Sequence, residues 1–168
     1  MSVVQWSEAL ELGVASMDDI HKEFVALLQD LCGCSDHAFL PTLDAFITHC
    51  EDHFAQESIW MAESEFPPIR CHEEEHDKVA TIMKDVRKRV AGGDMALGRT
   101  LARELNPWFE HHAANMDTIL ATWLQQKQYD ARRDLAEKGK QGKGEGGRGK
   151  GEGCGCSGSA GSCVPEAQ

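Results

Sequence analysis

The sequence contains no run of about 18 apolar residues, the length that a helix needs to cross a membrane. Its opening stretch, MSVVQWSEALEL, also lacks the basic start and the apolar segment that are typical of an export signal. These absences argue against an integral membrane protein and against export by such a signal. We therefore expect a soluble, cytoplasmic protein.

Positive charge is scarce as well. The 17 Lys and Arg residues stand against 28 Asp and Glu, which gives a formal net charge of -11 at pH 7. A chain of this charge repels the phosphates of nucleic acids and anionic lipid surfaces. We expect neither nucleic acid nor a membrane as a partner.

Cysteine is present, but not in a pattern that suits a disulfide framework. The number is odd, seven, and the positions are scattered. Reduced thiols are therefore expected. Three of them, Cys154, Cys156 and Cys163, lie in the stretch GCGCSGSAGSC, where they either bind a soft metal, form a redox disulfide or attach to a protein partner, or are incidental.

Large apolar residues are missing between Lys138 and Cys163, where glycine predominates. Such a segment cannot bury enough surface to offset the entropy lost on ordering. The composition predicts two regions: one folded domain over residues 1–137 and a disordered tail, rich in Gly, Lys and Cys, over residues 138–168.

Within residues 1–137, apolar residues recur at helical spacing and alternating β-branched residues are few. The pattern predicts four helices: from a cap near Ser16 or Asp18 to Gly33, from about Pro41 to Glu65, from Ile69 to Val90, and from Asp94 to Gln128. Pro107 inside the last one predicts a kink or a new start capped by Asn106. Short connections between such helices indicate an all-α, antiparallel up-down-up-down four-helix bundle.

All eight histidines lie in the predicted bundle: His21, His37, His49, His53, His72, His76, His111 and His112. The stretch HFAQE places His53 and Glu57 four residues apart, and HEEEH does the same for His72 and His76. Residues at this spacing share one helix face, so each pair can contribute to one metal site. Imidazole with carboxylate suits iron, zinc or copper.

The fourth helix adds one inward histidine. Its predicted apolar stripe consists of Leu101, Leu105, Trp108, His112, Ile119 and Trp123, which places His111 about 100° outside it. On a regular helix Asp117 lies about 140° round from His112 and about 7.5 Å further along, so its carboxylate would have to reach in from the flank.

For each histidine the metal hypothesis competes with a plainer interpretation. A lone residue such as His21 is more often a hydrogen-bonded core histidine than a ligand, and a single pair is often a solvated face. Convergence decides between them, because every helix offers an inward imidazole or carboxylate, and burying so many polar groups without a partner costs several kcal/mol. The pattern favours a shared metal site, with His37, His49 and His111 outside it.

Several motifs together resemble a known family. They are Trp6 and Gly13 with MDDIH in the first helix, HFAQE followed by Met61 and Pro67, then HEEEH, then WFEHHAANMD. In these motifs, over residues 1–137, the chain is similar to the bacteriohemerythrins, the bacterial members of the hemerythrin family. Ser58, Phe109 and Ala113 depart from residues that are frequent in the family, so we expect differences in the pocket lining.

The resemblance implies a non-haem di-iron centre in the core of the bundle. One iron would be held by His72, His76 and His112, the other by His21 and His53, and both would be bridged by Glu57, Asp117 and an oxide or hydroxide. The iron with two histidines would keep a position for dioxygen. The implied function is reversible dioxygen binding for storage, transport or sensing, by a protein that is not primarily an enzyme.

The ligand types support binding over oxygen activation. Carboxylate-rich di-iron bundles use four acidic ligands and two Glu-x-x-His motifs, whereas this chain has one such motif, from Glu73 to His76. Other functions remain open: a di-iron peroxidase or nitric oxide reductase, an oxygen- or redox-sensing module, and a zinc or iron buffer.

Overall fold

The computed structural model describes residues 3–131, which form α-helices joined by short connections. The helices are α1 (Ala15–Gly33), α2 (Asp36–Glu63), α3 (Ile69–Ala91), α4 (Met95–His112) and α5 (Thr118–Gln126). A 3-10 turn, Glu8–Leu10, precedes α1, and a π-helical segment, Ala113–Asp117, continues α4 directly into α5. The last three elements thus make one long arm, and the predicted all-α four-helix bundle is confirmed.

The order of packing follows the order of the chain. Helix α1 packs on α2, α2 on α3, α3 on α4, and α4 closes the ring on α1. Because the connections are only a few residues long, neighbouring helices run antiparallel. The turn after α3 contains Gly92 and Gly93, as predicted, and Gly93 adopts a φ of 102° that favours glycine. Among the described helices, none combines the length and the apolar character that a membrane span requires.

Part of the sequence lies outside the described residues. The predicted tail over residues 138–168, with Cys154, Cys156 and Cys163, lies in this part and stays a prediction. None of the four described cysteines, Cys32, Cys34, Cys50 and Cys71, is in a disulfide bond.

Helix α2 begins earlier than the sequence pattern suggests. It starts at Asp36, not near Pro41, and Pro41 lies within its second turn. A proline there removes one helical hydrogen bond. The first turn is nevertheless held in place, because Phe39 is fully buried and Asp36 accepts hydrogen bonds from Arg99 on α4.

Of the two alternatives predicted at Pro107, a kink or a new helix start capped by Asn106, the new start is wrong. Helix α4 continues through this residue to His112. Asn106 does not cap a helix; its side-chain oxygen accepts a hydrogen bond from the backbone N–H of Val4 at 2.8 Å, and its amide donates to the carbonyl of Ala102. Asn106 therefore anchors the N-terminal segment to the bundle.

The apolar stripe of the last arm shifts by one residue at the π segment. The buried residues of α5 are Leu120, Ala121 and Leu124, whereas the predicted Ile119 and Trp123 are only half-buried. A π turn closes its hydrogen bonds five residues on, not four, so it contains one residue more than an α turn. Every residue after the π turn therefore faces the direction that the preceding residue would face on a regular α-helix.

The core consists of two apolar clusters with a polar layer between them. One cluster is centred on the buried rings Phe24, Phe39, Phe46 and Phe109. The other contains Met17, Ile20, Trp60, Met61, Phe66, Leu120, Ala121 and Leu124. Each arm of the bundle crosses from one cluster to the other, and the inward histidines and carboxylates lie at the crossing.

Candidate metal centre

The polar layer contains all seven residues that the sequence singled out as ligands. Helix α1 contributes one, α2 two, α3 two, α4 one and the π segment one: His21, His53, Glu57, His72, His76, His112 and Asp117. Their exposed fractions range from 0% to 3%. Five imidazoles and two carboxylates are thus buried together in the core of the bundle.

Glu57 lies between two groups of histidines. Its Oε1 is 3.1 Å from Nε2 of His53 and 3.9 Å from Nε2 of His21. Its Oε2 is 3.2 Å from Nε2 of His72 and 3.3 Å from Nε2 of His76. One carboxylate therefore spans both groups, with a separate oxygen for each.

Asp117 repeats this division. Its Oδ2 is 3.2 Å from Nε2 of His21, while its Oδ1 is 3.2 Å from Nε2 of His72 and 3.1 Å from Nε2 of His112. The centre thus has two poles. The two-histidine pole contains His21 and His53, and the three-histidine pole contains His72, His76 and His112.

The π segment brings Asp117 into this arrangement. On a regular helix, residues five apart point in different directions, whereas π-helical bonding places them one above the other. His112 and Asp117 are five apart, and the Thr118 hydroxyl donates to the carbonyl of Ala113 at 2.8 Å within the same turn. The carboxylate of Asp117 therefore lies on the same face as His112 and, contrary to the prediction for a regular helix, does not reach the centre from the flank.

The two carboxylates are ionised despite their burial. Burial and the charge of Asp117 oppose ionisation of Glu57, but His53 and His21 outweigh both and hold the pKa of Glu57 well below its usual range. Burial likewise opposes ionisation of Asp117, but the charge of His112 and contacts with His112, His21 and His72 hold its pKa well below the usual range.

The histidines differ in the protons that they hold. Burial lowers the pKa of His21 and of His72, but the adjacent Asp117 and Glu57 outweigh it and raise these pKa values to about 9 and about 10. Burial, together with the charges of His112 and His72, lowers the pKa of His76 to about 3. Without a metal, protons on His21 and His72 therefore offset the negative charge of the two carboxylates.

The unpaired atoms of the cluster fit a metal. Both oxygens of Asp117, Oε2 of Glu57 and Nε2 of His21 and His72 are buried, and none has a partner in hydrogen-bond geometry. Buried polar atoms of proteins are nearly always paired, so this concentration of unpaired donor atoms requires a ligand. Imidazole nitrogen and carboxylate oxygen together suit iron.

Comparison with known proteins agrees with this chemistry. The hemerythrin HHE cation binding domain matches residues 12–124, which include every residue of the cluster. The chain belongs to the hemerythrin family. It is 49% identical over 136 residues to a bacteriohemerythrin of Ralstonia nicotianae, an alignment that covers 81% of this chain and 99% of that protein.

More distant hemerythrins align over similar lengths. A bacteriohemerythrin of Methylococcus capsulatus is 26% identical over 130 residues, which cover 74% of this chain and 98% of that protein. A myohemerythrin of Theromyzon tessulatum is 23% identical over 116 residues, which cover 67% and 87%. The cofactor of the hemerythrin family is a pair of non-haem irons, and the cluster fits such a pair.

Two aromatic rings that the sequence did not mark as functional position histidines of the cluster in this hemerythrin. Phe54 stacks on His76 with ring centroids 4.0 Å apart, and Trp108 stacks on His112 at 4.8 Å. The indole N–H of Trp108 donates to Glu75 at 3.2 Å, which fixes the ring from the other side. A helical wheel places Phe54 next to the ligand face of α2, but the pattern alone does not show which neighbouring ring it covers.

The departures from the family pattern lie close to the centre. Phe109 is buried edge-on to His21, with ring centroids 5.4 Å apart, and Ala113 is buried beside it in the same apolar cluster. Ser58 is half-buried between α2 and α3. The histidines expected outside the centre belong to neither pole: His37 and His111 are exposed, and His49 is 3.7 Å from Glu23.

Metal uptake at pH 7 is expected to release at least the protons of His21 and His72, because these protonated rings must each lose a proton to bind iron. The apparent affinity for metal should accordingly fall as the pH falls, since protons then compete more strongly. Calorimetry in buffers of different ionisation enthalpy measures this release. Uptake without any release would contradict the charge balance described above.

Proposed function

We propose that this chain binds dioxygen reversibly at a di-iron centre held by His21, His53, Glu57, His72, His76, His112 and Asp117. Hemerythrins are oxygen-binding proteins rather than enzymes. The proposal assigns this chain to storage, transport or sensing of dioxygen in the cytoplasm, with residues 1–137 as the functional unit. Alignment of 136 residues with a bacteriohemerythrin supports that unit.

The observation that carries the proposal is the unequal division of the histidines. Each carboxylate offers one oxygen to each pole, so the three-histidine pole has five protein donor atoms and the two-histidine pole has four. Metal centres that bind a small molecule keep a position that no protein ligand fills. The two-histidine pole is therefore the expected site of the exogenous ligand.

The surroundings of that pole favour an apolar diatomic molecule. The ring of Phe109 is edge-on to His21, and the ring of Phe24 lies 6.2 Å from that of His53. Both phenylalanines are buried, so they keep bulk water away from this pole. When bound, the two ferrous ions supply electrons that dioxygen accepts and can return.

The donor set also favours reversible binding. Five neutral imidazoles and two carboxylates compensate less positive charge than the four acidic ligands of carboxylate-rich di-iron bundles. Higher oxidation states of iron are therefore less stabilised, and reversible exchange of dioxygen is favoured over its activation.

The deciding experiment is to reduce the iron-loaded protein, admit air and then remove the oxygen. We expect a visible absorption band that appears with air and disappears on deoxygenation. Iron binding without a reversible band would contradict the proposal and leave a metal buffer. Sustained turnover with excess peroxide or nitric oxide would favour an enzyme in its place.

A further inference from the structure

A buried centre requires a route by which its metal arrives, and the surface of the bundle has a groove that reaches it. This α2–α3 groove has a volume of about 420 Å³ and is lined by Glu51, Phe54, Ala55, Ser58, Glu73, His76, Asp77, Ala80 and Lys84. Of these residues, only His76 belongs to the centre. The groove therefore joins solvent to one ligand of the three-histidine pole.

The charge of the groove suits a cation. Three carboxylates face one ammonium group, which leaves two negative charges in excess. Lys84 is 2.7 Å from Glu51 at the rim, so these two groups neutralise each other, while Glu73 and Asp77 remain beside the ligand histidine. A concave surface with an excess of carboxylate raises the local concentration of divalent cations.

His76 forms the floor of the groove and faces the centre as well. Its Nε2 is 3.0 Å from Nε2 of His112 and 3.3 Å from Oε2 of Glu57. Its Nδ1 is buried and has no hydrogen-bond partner. His76 lines the groove although the residue is 97% buried, and it therefore joins the groove to the interior of the centre.

Small residues keep the approach open. Ala55 and Ser58 on α2 and Ala80 on α3 line the groove, and Phe54, which also lines it, stacks on one face of the His76 ring. Ser58, which directly follows Glu57 in the chain, is half-buried and lines the groove with these residues. The departure from the family pattern at Ser58 is therefore part of the approach.

A second depression, which reaches His72, is unsuited to an ion. It is lined by Phe66, Pro68, His72, Asn115, Met116 and Ile119, and it continues outward along Ile119 and Trp123. Neither part is lined by a carboxylate. A hydrated divalent cation loses more solvation there than it regains.

We propose that the α2–α3 groove is the route by which ferrous iron enters the centre, with Glu73 and Asp77 collecting the cation and His76 receiving it. The proposal rests on the ligand role of His76 in the proposed function. It assigns a use to groove residues that do not hold the bound iron.

Uptake of cobalt(II) by the full-length chain, stripped of metal and kept free of oxygen, tests the route. The double variant Glu73→Gln/Asp77→Asn should take up cobalt at least about tenfold more slowly at low salt and reach the same final amount. High salt should reduce the difference, because it screens the attraction. Control Glu104→Gln/Glu110→Gln makes the same charge change at exposed positions of α4 and should load at the parent rate.

Two variants that introduce a large side chain test the same route independently of charge. Ala55→Trp places a large ring in the groove and should slow cobalt uptake, whereas Thr122→Trp, beside the apolar depression, should not. Equal rates for the parent, the charge variant and the Ala55 variant would overturn the route. The uptake test uses no oxygen, so it remains valid even if the iron-loaded protein fails to bind oxygen. If neither the parent nor any variant took up cobalt, both the ligand assignment and the route would be overturned.

Discussion

Replacing His112 with alanine is expected to remove iron from the centre, whereas replacing the adjacent His111 is expected to leave the iron in place. His112 is buried, and its Nε2 lies within 3.1 Å of Asp117 and of His76. His111 is exposed, and its ring contacts Asn115. Iron per chain after gel filtration measures the difference: His112→Ala should retain about one iron or fewer, and His111→Ala about two.

The two variants make the same chemical change at neighbouring positions of one helix. A general effect of losing a histidine would therefore affect both equally. Equal iron loss would mean that the arm faces the core in a different register, and full retention in both would exclude His112 as a ligand. Circular dichroism of each variant shows whether the bundle has kept its helices.

Phe24→Ala is expected to lower the free energy of unfolding by about 3–5 kcal/mol, the range for removing a large buried ring. Phe24 is fully buried, stacks on Phe109 at 4.3 Å and meets Phe46 edge-on at 4.9 Å. No neighbour can fill the space without breaking these contacts. Urea denaturation with a chelator present gives the value, since metal release then makes no contribution.

The matched control is Ile82→Ala, because Ile82 is the large apolar residue that the described structure leaves 54% exposed. Its removal should change the free energy of unfolding by no more than about 0.5 kcal/mol. Similar losses at the two positions would mean that the apolar cluster around Phe24 does not carry the stability of the bundle.

The fold and the composition of the cluster follow from local patterns in the sequence. His53 with Glu57, and His72 with His76, are four apart, and that spacing fixes a shared face whatever the helices pack against. Gly33 and the pair Gly92–Gly93 mark helix ends because glycine breaks the helical pattern. Such signals require no knowledge of the partner surface.

The features that the sequence did not reveal depend on tertiary contacts. The start of α2 at Asp36 depends on the burial of Phe39 and on Arg99 from another helix. Asn106 was expected to cap a helix, but it bonds to Val4, 102 residues away in the chain. The π segment has no local signature in the sequence either. The extra residue of its turn places Asp117 against histidines of other helices, and this contact is visible only in the folded structure.

Anyone who redesigns the surface of this bundle must therefore draw two separate helical wheels for its last arm, one for α4 and one for α5. A single helical wheel drawn from α4 onward would assign Leu120 and Leu124 to solvent and invite charged residues there. Both side chains in fact share a cluster with Met17 and Trp60, so charged groups there would be buried in an apolar environment. The exposed positions of this stretch include Thr118 and Thr122, and the offset begins at the π segment that contains Asp117.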